Sequence, residues 1–248
     1  MKGFHVLMYH EIIKKEDFDI DNKSNIKVNQ DYQDVLPKPL FVFLKEFKKQ
    51  MRYLYENDYT TLELKDIIDF LYNNKPLPKK SVLLTFDDMY KSVLLYAYPI
   101  LKKYNFNAVG FVVLDWLFNK EKEYSNSKSV CLSKKELEKI SDVFEYANHT
   151  KRLHTRRNGL TASQTIDKLT FFKDVKACDE FVDVKKVFAY PFGIFTEDVL
   201  DWLKELEFLL AFTTESGKNS IKTNPLKIHR NGVFLNYDLD DFKKILID

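Results

Sequence analysis

The feature that most constrains the fold is a strand of buried type that ends in two adjacent carboxylates. Val82 to Leu84 form an aliphatic run within Ser81–Asp87, and such a run is typical of a strand covered on both faces. Asp87 and Asp88 follow where this strand ends, and in α/β sheets chemistry collects at the carboxyl ends of strands. Neighbouring carboxylates repel each other, so a positive charge is needed beside them, and a divalent metal is the simplest candidate. The alternative is that Asp88 caps a helix over residues 89–103.

Strand-type and helix-type segments alternate along the chain, with no internal repeat and no linker. The periodicity predicts strands at residues 4–9, 60–62, 82–84, 108–114, 143–147, 186–189, 209–213 and 227–228. It predicts helices at residues 40–57, 64–72, 91–104, 133–140, 162–181, 196–207 and 239–247. A capping box of Ser133 and Glu136 opens the fourth of these helices, and Thr196 caps the sixth. Residues 14–39 are polar and show no period, which indicates a long surface loop and a candidate lid. The alternation predicts a single α/β domain over residues 1–248 with a mostly parallel sheet, and roughly seven or eight βα units fit a barrel better than an open sheet.

Histidine is scarce, and two of the five histidines lie close together immediately after a predicted strand. His149 and His154 are five residues apart, and neutral imidazole is the commonest protein ligand for metals. Together with Asp88 they make a set of one carboxylate and two imidazoles with positions left open for water and substrate, as in hydrolytic zinc sites. The alternative is that both histidines belong to a loop in a basic patch with Lys151, Arg152, Arg156 and Arg157.

Proton transfer at such a site would need a base, an acid and an oxyanion donor. Asp87, left free beside the metal, is the candidate general base. His10 and His229 both follow predicted strand ends, and either could protonate a leaving nitrogen. The Tyr190–Gly193 turn could present the backbone N–H of Phe192 to a developing oxyanion, or it is an ordinary Pro-Gly turn.

Charge and composition exclude several classes of protein. The formal net charge of +2 does not indicate nucleic-acid binding, and no apolar run is long enough for a transmembrane helix. Cys131 and Cys178 suggest two buried thiols, although one disulfide between them stays open. The first ten residues look like a strand and not like a signal peptide, so we expect a cytoplasmic chain unless an export segment precedes this sequence. We expect a monomer.

The motifs, taken in order, resemble the polysaccharide deacetylase family, the NodB-homology group of carbohydrate esterase family 4. The resemblance is carried by Thr85-Phe86-Asp87-Asp88, by His149-Thr150 with His154, and by Tyr190-Pro191-Phe192-Gly193, and it covers nearly the whole chain. The five-residue histidine spacing, and an opening strand that ends in Tyr9-His10, are similar to the branch that de-N-acetylates poly-β-1,6-N-acetylglucosamine.

The resemblance implies a distorted (β/α)7 barrel and a Zn²⁺ ion (or Ni²⁺ or Co²⁺) held by Asp88, His149 and His154. It implies Asp87 as base and His10 as acid, with His229 as a spare candidate because much of the family supplies its acid late in the chain. The implied substrate is an N-acetylated polysaccharide, and the implied location is extracellular or at the cell surface.

Two positions depart from the family pattern. Met89 stands where the family has Gly after the two Asp residues, and it could narrow the site or restrict the turn. Ala189 stands where most members have an Arg that pairs with the catalytic Asp, which leaves Asp87 without that partner.

These departures keep two alternatives to an N-deacetylase open. One is a carbohydrate-binding protein on a decayed enzyme scaffold. The other is an intracellular amide hydrolase that acts on a small N-acetyl compound. Aromatic residues near Tyr32, Phe41, Trp116 and Phe118 could line a sugar groove or simply pack at the rim.

Overall fold

The computed structural model describes residues 3–22 and 24–247, and strands and helices alternate along them. The outermost ends of the predicted domain, residues 1, 2 and 248, lie outside the described residues. The strands are β1 Gly3–Tyr9, β2 Glu11–Ile13, β3 Asn25–Lys27, β4 Phe41–Phe43, β5 Thr60–Thr61, β6 Ser81–Asp87, β7 Ala108–Val112, β8 Lys128–Val130, β9 Phe144–Asn148, β10 Arg156–Arg157, β11 Leu160–Thr161, β12 Val187–Ala189, β13 Leu210–Phe212, β14 Asn219–Ser220 and β15 Asn231–Gly232. The helices are α1 Leu44–Glu56, α2 Leu64–Asn73, α3 Tyr98–Tyr104, α4 Lys134–Glu138, α5 Lys168–Phe181, α6 Glu197–Glu205 and α7 Leu239–Ile245.

The core of the molecule is a mixed, mostly parallel sheet that curls into a half-barrel. Its strand order is β13-β12-β9-β7-β6-β1-β14, with β5 paired to β6 and β15 paired to β1. All pairs from β13 to β1 are parallel, and only β14 runs antiparallel, against the first residues of β1. The predicted α/β class and NodB-type barrel are confirmed.

One connecting segment bridges the two edges of the curled sheet. Ile228 pairs with Phe212 of β13, and three residues later Asn231 pairs with Leu7 of β1. This segment makes backbone hydrogen bonds to Ala211, Thr213 and Met8, and it therefore connects β13 at one edge of the sheet to β1 at the other.

Buried side chains on both faces explain the aliphatic character of the central strands. All seven residues of β6 are buried, as expected for a parallel strand covered on both sides. One face packs against residues of α1 and α3, including Phe47 and Leu101, and the other contacts Leu64 and Ile67 of α2. The predicted double-sided burial of Val82–Leu84 is therefore confirmed.

Residues 14–39 are more regular than the expected surface loop. β3 within them pairs in parallel with β8, and the Asn29 N–H donates to the Trp116 carbonyl. Ile26, Leu36 and residues near them pack into a buried apolar cluster with Trp116 and Val130. The prediction missed this strand because its partner lies about a hundred residues away and its own sequence has no period.

Two predicted helices are corrected. The segment predicted as helix 91–104 is helical from residue 91, as expected, but Val93–Ala97 form a π-helical turn within it and the α-helix resumes at Tyr98. Pro99 explains the turn, because it has no N–H to donate to the carbonyl four residues earlier. The helix predicted from residue 162 starts at Lys168, after a short 3₁₀ turn over Ala162–Gln164.

Several smaller predictions are confirmed. Ser133 and Glu136 form a capping box at α4, and the Thr196 side chain caps α6. Cys131 and Cys178 are buried free thiols. Among residues 3–22 and 24–247, no helix has both the length and the apolar character needed to cross a lipid bilayer.

Candidate functional site

A cavity of about 360 Å³ opens at the carboxyl ends of β1, β6 and β9. Because parallel strands end at the same edge of a sheet, residues that follow different strands meet there. All the predicted site residues except His229 line this cavity, namely His10, Asp87, Asp88, His149, His154 and Phe192. The other lining residues are Met8, Ile26, Asp34, Val35, Leu36, Pro37, Leu40, Tyr90, Trp116, Arg156, Gly193, Thr214 and Phe234.

Asp88, His149 and His154 form a buried candidate metal site. The possible ligand atoms of the three side chains all lie within 4.8 Å of one another. Asp88 Oδ1 is 3.7 Å from His154 Nε2 and 3.9 Å from His149 Nε2, and this oxygen has no hydrogen-bond partner among the described residues. A buried carboxylate oxygen without a donor is costly, and a cation facing it would remove that cost. The three side chains therefore fit a divalent metal, and Asp88 does not cap a helix.

The orientation of these ligands and the neutral state of the two histidines suit metal binding. The Tyr90 hydroxyl donates to Asp88 Oδ2 at 2.9 Å, which leaves Oδ1 for the cation. His149 Nδ1 lies 2.8 Å from the Ala189 carbonyl, and since a carbonyl can only accept, Nδ1 carries the proton and Nε2 presents its lone pair. Burial lowers the pKa of His149 and the pKa of His154 to about 4, so both imidazoles are neutral ligands at neutral pH.

Asp87 is held by an arginine that the sequence analysis missed. Arg230 donates through Nη1 to Asp87 Oδ1 at 2.6 Å and through Nη2 to Oδ2 at 2.8 Å, and both side chains are buried. Burial alone would raise the pKa of the Asp87 carboxyl, but Arg230, His149 and His10 together hold that pKa well below its usual range. Asp87 therefore stays ionised. Arg230, near the C-terminal end of the chain, takes the place of the arginine that is missing at position 189.

The two candidate acids are placed differently. His10 Nε2 lies 3.8 Å from Asp87 Oδ2 inside the cavity, and burial lowers the pKa of His10 against the opposing effect of Asp87 and Asp88. His229 lies outside the cavity, with its ring against Gly217 and Nδ1 3.9 Å from Glu215. Residues 229 and 230 belong to the extended bridging segment, where successive side chains point to opposite sides. The inward position is taken by Arg230.

The predicted Pro-Gly turn lies at the cavity wall. Pro191–Gly193 form a 3₁₀ turn in which Phe192 has a left-handed φ of 58°. The Phe192 ring packs on the His154 ring with centroids 4.3 Å apart. Gly193 has φ 69°, and a Cβ there would lie 2.0 Å from Thr214 Oγ1, so only glycine fits.

Met89 does not narrow the site. Its side chain is fully buried in the core, away from the cavity lining, with Sδ against the backbone of Gly110 in the next strand. A Cβ at Gly110 would lie 2.5 Å from that sulfur, so the glycine makes room for the larger residue. Met89 does take the left-handed φ of 52° that the family's glycine would take freely, at a cost of about 1 kcal/mol.

The aromatic residues divide between the cavity and the core. Trp116 lines the cavity, edge-on to the His154 ring with centroids 4.7 Å apart, and Tyr32 stacks on Trp116. Phe41 and Phe118 are buried in the apolar cluster beneath, so for these two the rim-packing alternative is correct.

The sequence matches the profile of the polysaccharide deacetylase family over residues 74–211. It is 30% identical over 195 residues to the poly-beta-1,6-N-acetyl-D-glucosamine N-deacetylase of Staphylococcus aureus, an alignment that covers 75% of this chain. The aligned region spans only 65% of the length of that relative. The enzyme of the same name from Staphylococcus epidermidis is 29% identical over 224 residues, covering 84% of this chain and 71% of the relative.

Solved structures share the whole fold. The Streptococcus pyogenes deacetylase PplD, determined in complex with acetate, superposes with a TM-score of 0.79 at 22% sequence identity and covers 99% of both chains. IcaB from Ammonifex degensii superposes with a TM-score of 0.75 at 20% identity, over 99% of this chain and 96% of the other. Because the sequence identities are only 20–22%, this likeness establishes the half-barrel fold and nothing beyond the fold.

Proposed function

This chain belongs to the polysaccharide deacetylase family, and on that premise we propose that it is a metal-dependent hydrolase that removes N-acetyl groups from a polysaccharide containing N-acetylglucosamine. A poly-β-1,6-linked polymer or a cell-wall glycan is the proposed substrate. The observation that carries the proposal is the convergence, in one cavity, of an unpartnered Asp88 oxygen, two neutral imidazoles and an ionised Asp87. The name shared by the two staphylococcal relatives supports the choice of substrate.

Asp88, His149 and His154 are the proposed ligands. Bound there, Zn²⁺ or a related divalent ion would supply Lewis-acid polarisation of the acetyl carbonyl and would make water more acidic. The protein contributes the orientation of each ligand, through Tyr90 on Asp88 and the Ala189 carbonyl on His149.

Asp87 and His10 are the proposed proton carriers. Asp87 is ionised and can accept the proton of an attacking water at Oδ2, while Arg230 keeps the carboxylate in place. His10 Nε2 is 3.8 Å from that oxygen and can deliver a proton to the leaving nitrogen. The backbone N–H of Phe192, at the cavity wall, is the proposed donor to the oxyanion. His229 faces away from these groups, so His10 is the proposed acid.

The two sequence departures give no support to a decayed scaffold. Met89 leaves the cavity lining unchanged, and Arg230 supplies the cation that Ala189 cannot. The complete set of ligands, base and acid favours an enzyme over a binding protein.

The test is metal content and acetate release, measured together. We expect about one divalent ion per chain in the purified protein and its loss in Asp88→Asn, because three ligands are needed to hold it. Asp87→Asn should keep the metal and lose acetate release from N-acetylglucosamine oligomers by roughly 10²–10⁴-fold, the usual contribution of a general base.

Three other results of this test would each contradict a part of the proposal. Full activity in Asp87→Asn would remove that residue from the mechanism. Oligomer binding with no acetate release, after metal has been added, would favour the carbohydrate-binding alternative. Turnover of small N-acetyl compounds but not of polymers would favour a small-molecule amide hydrolase.

A further inference from the structure

A charged pair at the mouth of the cavity has no part in the chemistry described above. Arg156 donates through Nε to Asp34 Oδ2 at 2.8 Å and through Nη2 to Asp34 Oδ1 at 2.7 Å. Both residues line the cavity, but the Arg156 side chain is 43% exposed, whereas the side chains of the three candidate metal ligands are at most 8% exposed. The pair therefore lies at the outer end of a cavity whose inner end is the metal site.

Both oxygens of the Asp34 carboxylate accept hydrogen bonds, and these bonds fix the carboxylate that orients Arg156. Besides the two bonds from Arg156, it accepts the Tyr32 hydroxyl at 2.7 Å and the Val35 N–H at 2.8 Å. The backbone N–H of Arg156 in turn donates to the Tyr32 hydroxyl at 3.2 Å. A guanidinium has five N–H donors, so those not bonded to Asp34 remain for another acceptor.

The Phe192 ring and the β10–β11 hairpin also hold Arg156 in position. Its guanidinium lies over the Phe192 ring, 5.5 Å from the centroid, and Phe192 packs on His154. β10, which carries Arg156, pairs with β11 through Asn158 and Gly159, both at positive φ, a two-residue turn of the tight type I′ kind. The donor group is therefore oriented before any ligand arrives, which lowers the entropy cost of binding.

The size of the cavity indicates what meets this arginine. A volume of about 360 Å³ is at the small end of the range for ligand sites, so it suits one acetylated sugar and not several. In a polymer, the next sugar must then lie at the mouth, where its hydroxyl and carbonyl oxygens are acceptors that match free guanidinium donors.

We propose that Arg156, oriented by Asp34, binds the sugar unit next to the one undergoing deacetylation, and so makes the enzyme prefer chains over single sugars. This rests on the proposed function for the identity of the substrate. Arg156 is a binding residue, and Asp34 is a positioning residue that acts through it.

The test compares a β-1,6-linked N-acetylglucosamine tetramer with the monomer. In Arg156→Ala we expect the KM for the tetramer to rise roughly ten- to a hundred-fold, the equivalent of one lost hydrogen bond to a charged group. The ratio of kcat/KM for tetramer to kcat/KM for monomer should fall. Asp34→Asn keeps the arginine but loses its orientation, so it should shift the same ratio by a smaller factor.

Arg157 provides the matched control. It is the next residue on the same hairpin, it is exposed, and it lies outside the cavity on the opposite face of β10. Arg157→Ala should change the tetramer-to-monomer ratio by less than twofold.

The alternative is that the pair merely anchors residues 24–40 over the cavity. In that case Arg156→Ala would lower kcat/KM for tetramer and monomer by the same factor, which would overturn the proposal. If Arg156→Ala does not fold, judged by its thermal midpoint and metal content, Arg156→Lys keeps the charge without the fork and should show the same selective change.

A binding measurement separates this proposal from the proposed function. Calorimetric titration of the tetramer into Asp87→Asn protein, with and without Arg156→Ala, needs no turnover. Tetramer binding that weakens in the double variant supports the role of Arg156 even if the wild-type protein releases no acetate. Equal tetramer affinity in both proteins would refute it, whatever the activity.

Discussion

At the scale of single residues, Arg230 changes the interpretation of the site most. Ala189 stands where the resemblance expects an arginine, and this left Asp87, the candidate base, without a partner. Arg230 supplies the guanidinium from 143 positions further along the chain, with both nitrogens on the two oxygens of Asp87. The signal in the sequence was its place directly after His229, since neighbours in an extended segment point to opposite sides.

Removal of Arg230 should destabilise the protein, because it leaves a buried carboxylate without its counter-charge. We expect Arg230→Ala to lower the free energy of unfolding by roughly 3–5 kcal/mol, measured by denaturant titration. The pKa of Asp87 should rise towards its ordinary value in this variant, because Arg230 is the strongest influence that lowers it.

The double variant Asp87→Asn with Arg230→Ala is the matched control for this prediction. It removes both charges, so it should cost less than the two single variants added together. If the losses simply add, the two residues are not coupled and the role assigned to Arg230 is wrong.

At the scale of secondary-structure elements, the local signals were reliable where they were strong. Ser133, Thr196 and the double-sided burial of β6 follow from short stretches of sequence, and the structure agrees. The Asn158-Gly159 hairpin was missed, although that dipeptide is a strong signal for a two-residue turn. β3 has no such signal, because only its pairing with β8 makes it a strand.

The junction between β9 and α2 should depend on pH. Glu145 of β9 accepts the Leu64 N–H at the start of α2 at 2.6 Å, and burial raises the pKa of Glu145 to about 7, with Glu63 and Asp66 adding to the effect. A carboxyl whose pKa is higher in the folded state than in the unfolded state stabilises the fold below about pH 4.5, and this contribution is lost as the pH rises through 7.

Glu145→Gln tests this, because glutamine can accept the same N–H and does not titrate. Relative to the wild type, the variant should gain roughly 1–3 kcal/mol of unfolding free energy between pH 5 and pH 8, since the wild type alone bears a half-buried charge at pH 8. An identical difference between the two proteins at both pH values would rule out a raised pKa.

At the scale of the whole molecule, the curled sheet brings together residues from both ends of the chain. His10 follows β1, Asp87 ends β6, His149 follows β9, and Arg230 lies in the segment that joins β13 to β1. Because the candidate ligands follow β6 and β9, a bound metal would link parts of the sheet that separate on unfolding.

Metal binding should therefore raise the thermal midpoint of the whole domain. At a free metal concentration about 100 times Kd, the gain is about 2.7 kcal/mol, or roughly 5–10 °C for a domain of this size. Chelation should reverse the shift, and Asp88→Asn should abolish it. Asp201→Asn on the exposed face of α6 serves as the control and should keep the full shift. A shift that persists in Asp88→Asn would place the metal elsewhere.

The sequence by itself determined the fold class, the order of the main parallel strands and of the helices, and the residues at the ends of those strands, because periodicity, caps and turn motifs act over a few neighbouring positions. The resemblance carried by those motifs led to Asp88, His149 and His154, which the structure brings within reach of one another. Only the tertiary structure decided that Arg230 replaces the missing arginine, that Met89 fits against Gly110 and that Asp34 holds Arg156. Each of these depends on where the curvature of the sheet and the closing segments bring distant side chains into contact, and no local pattern encodes those distances.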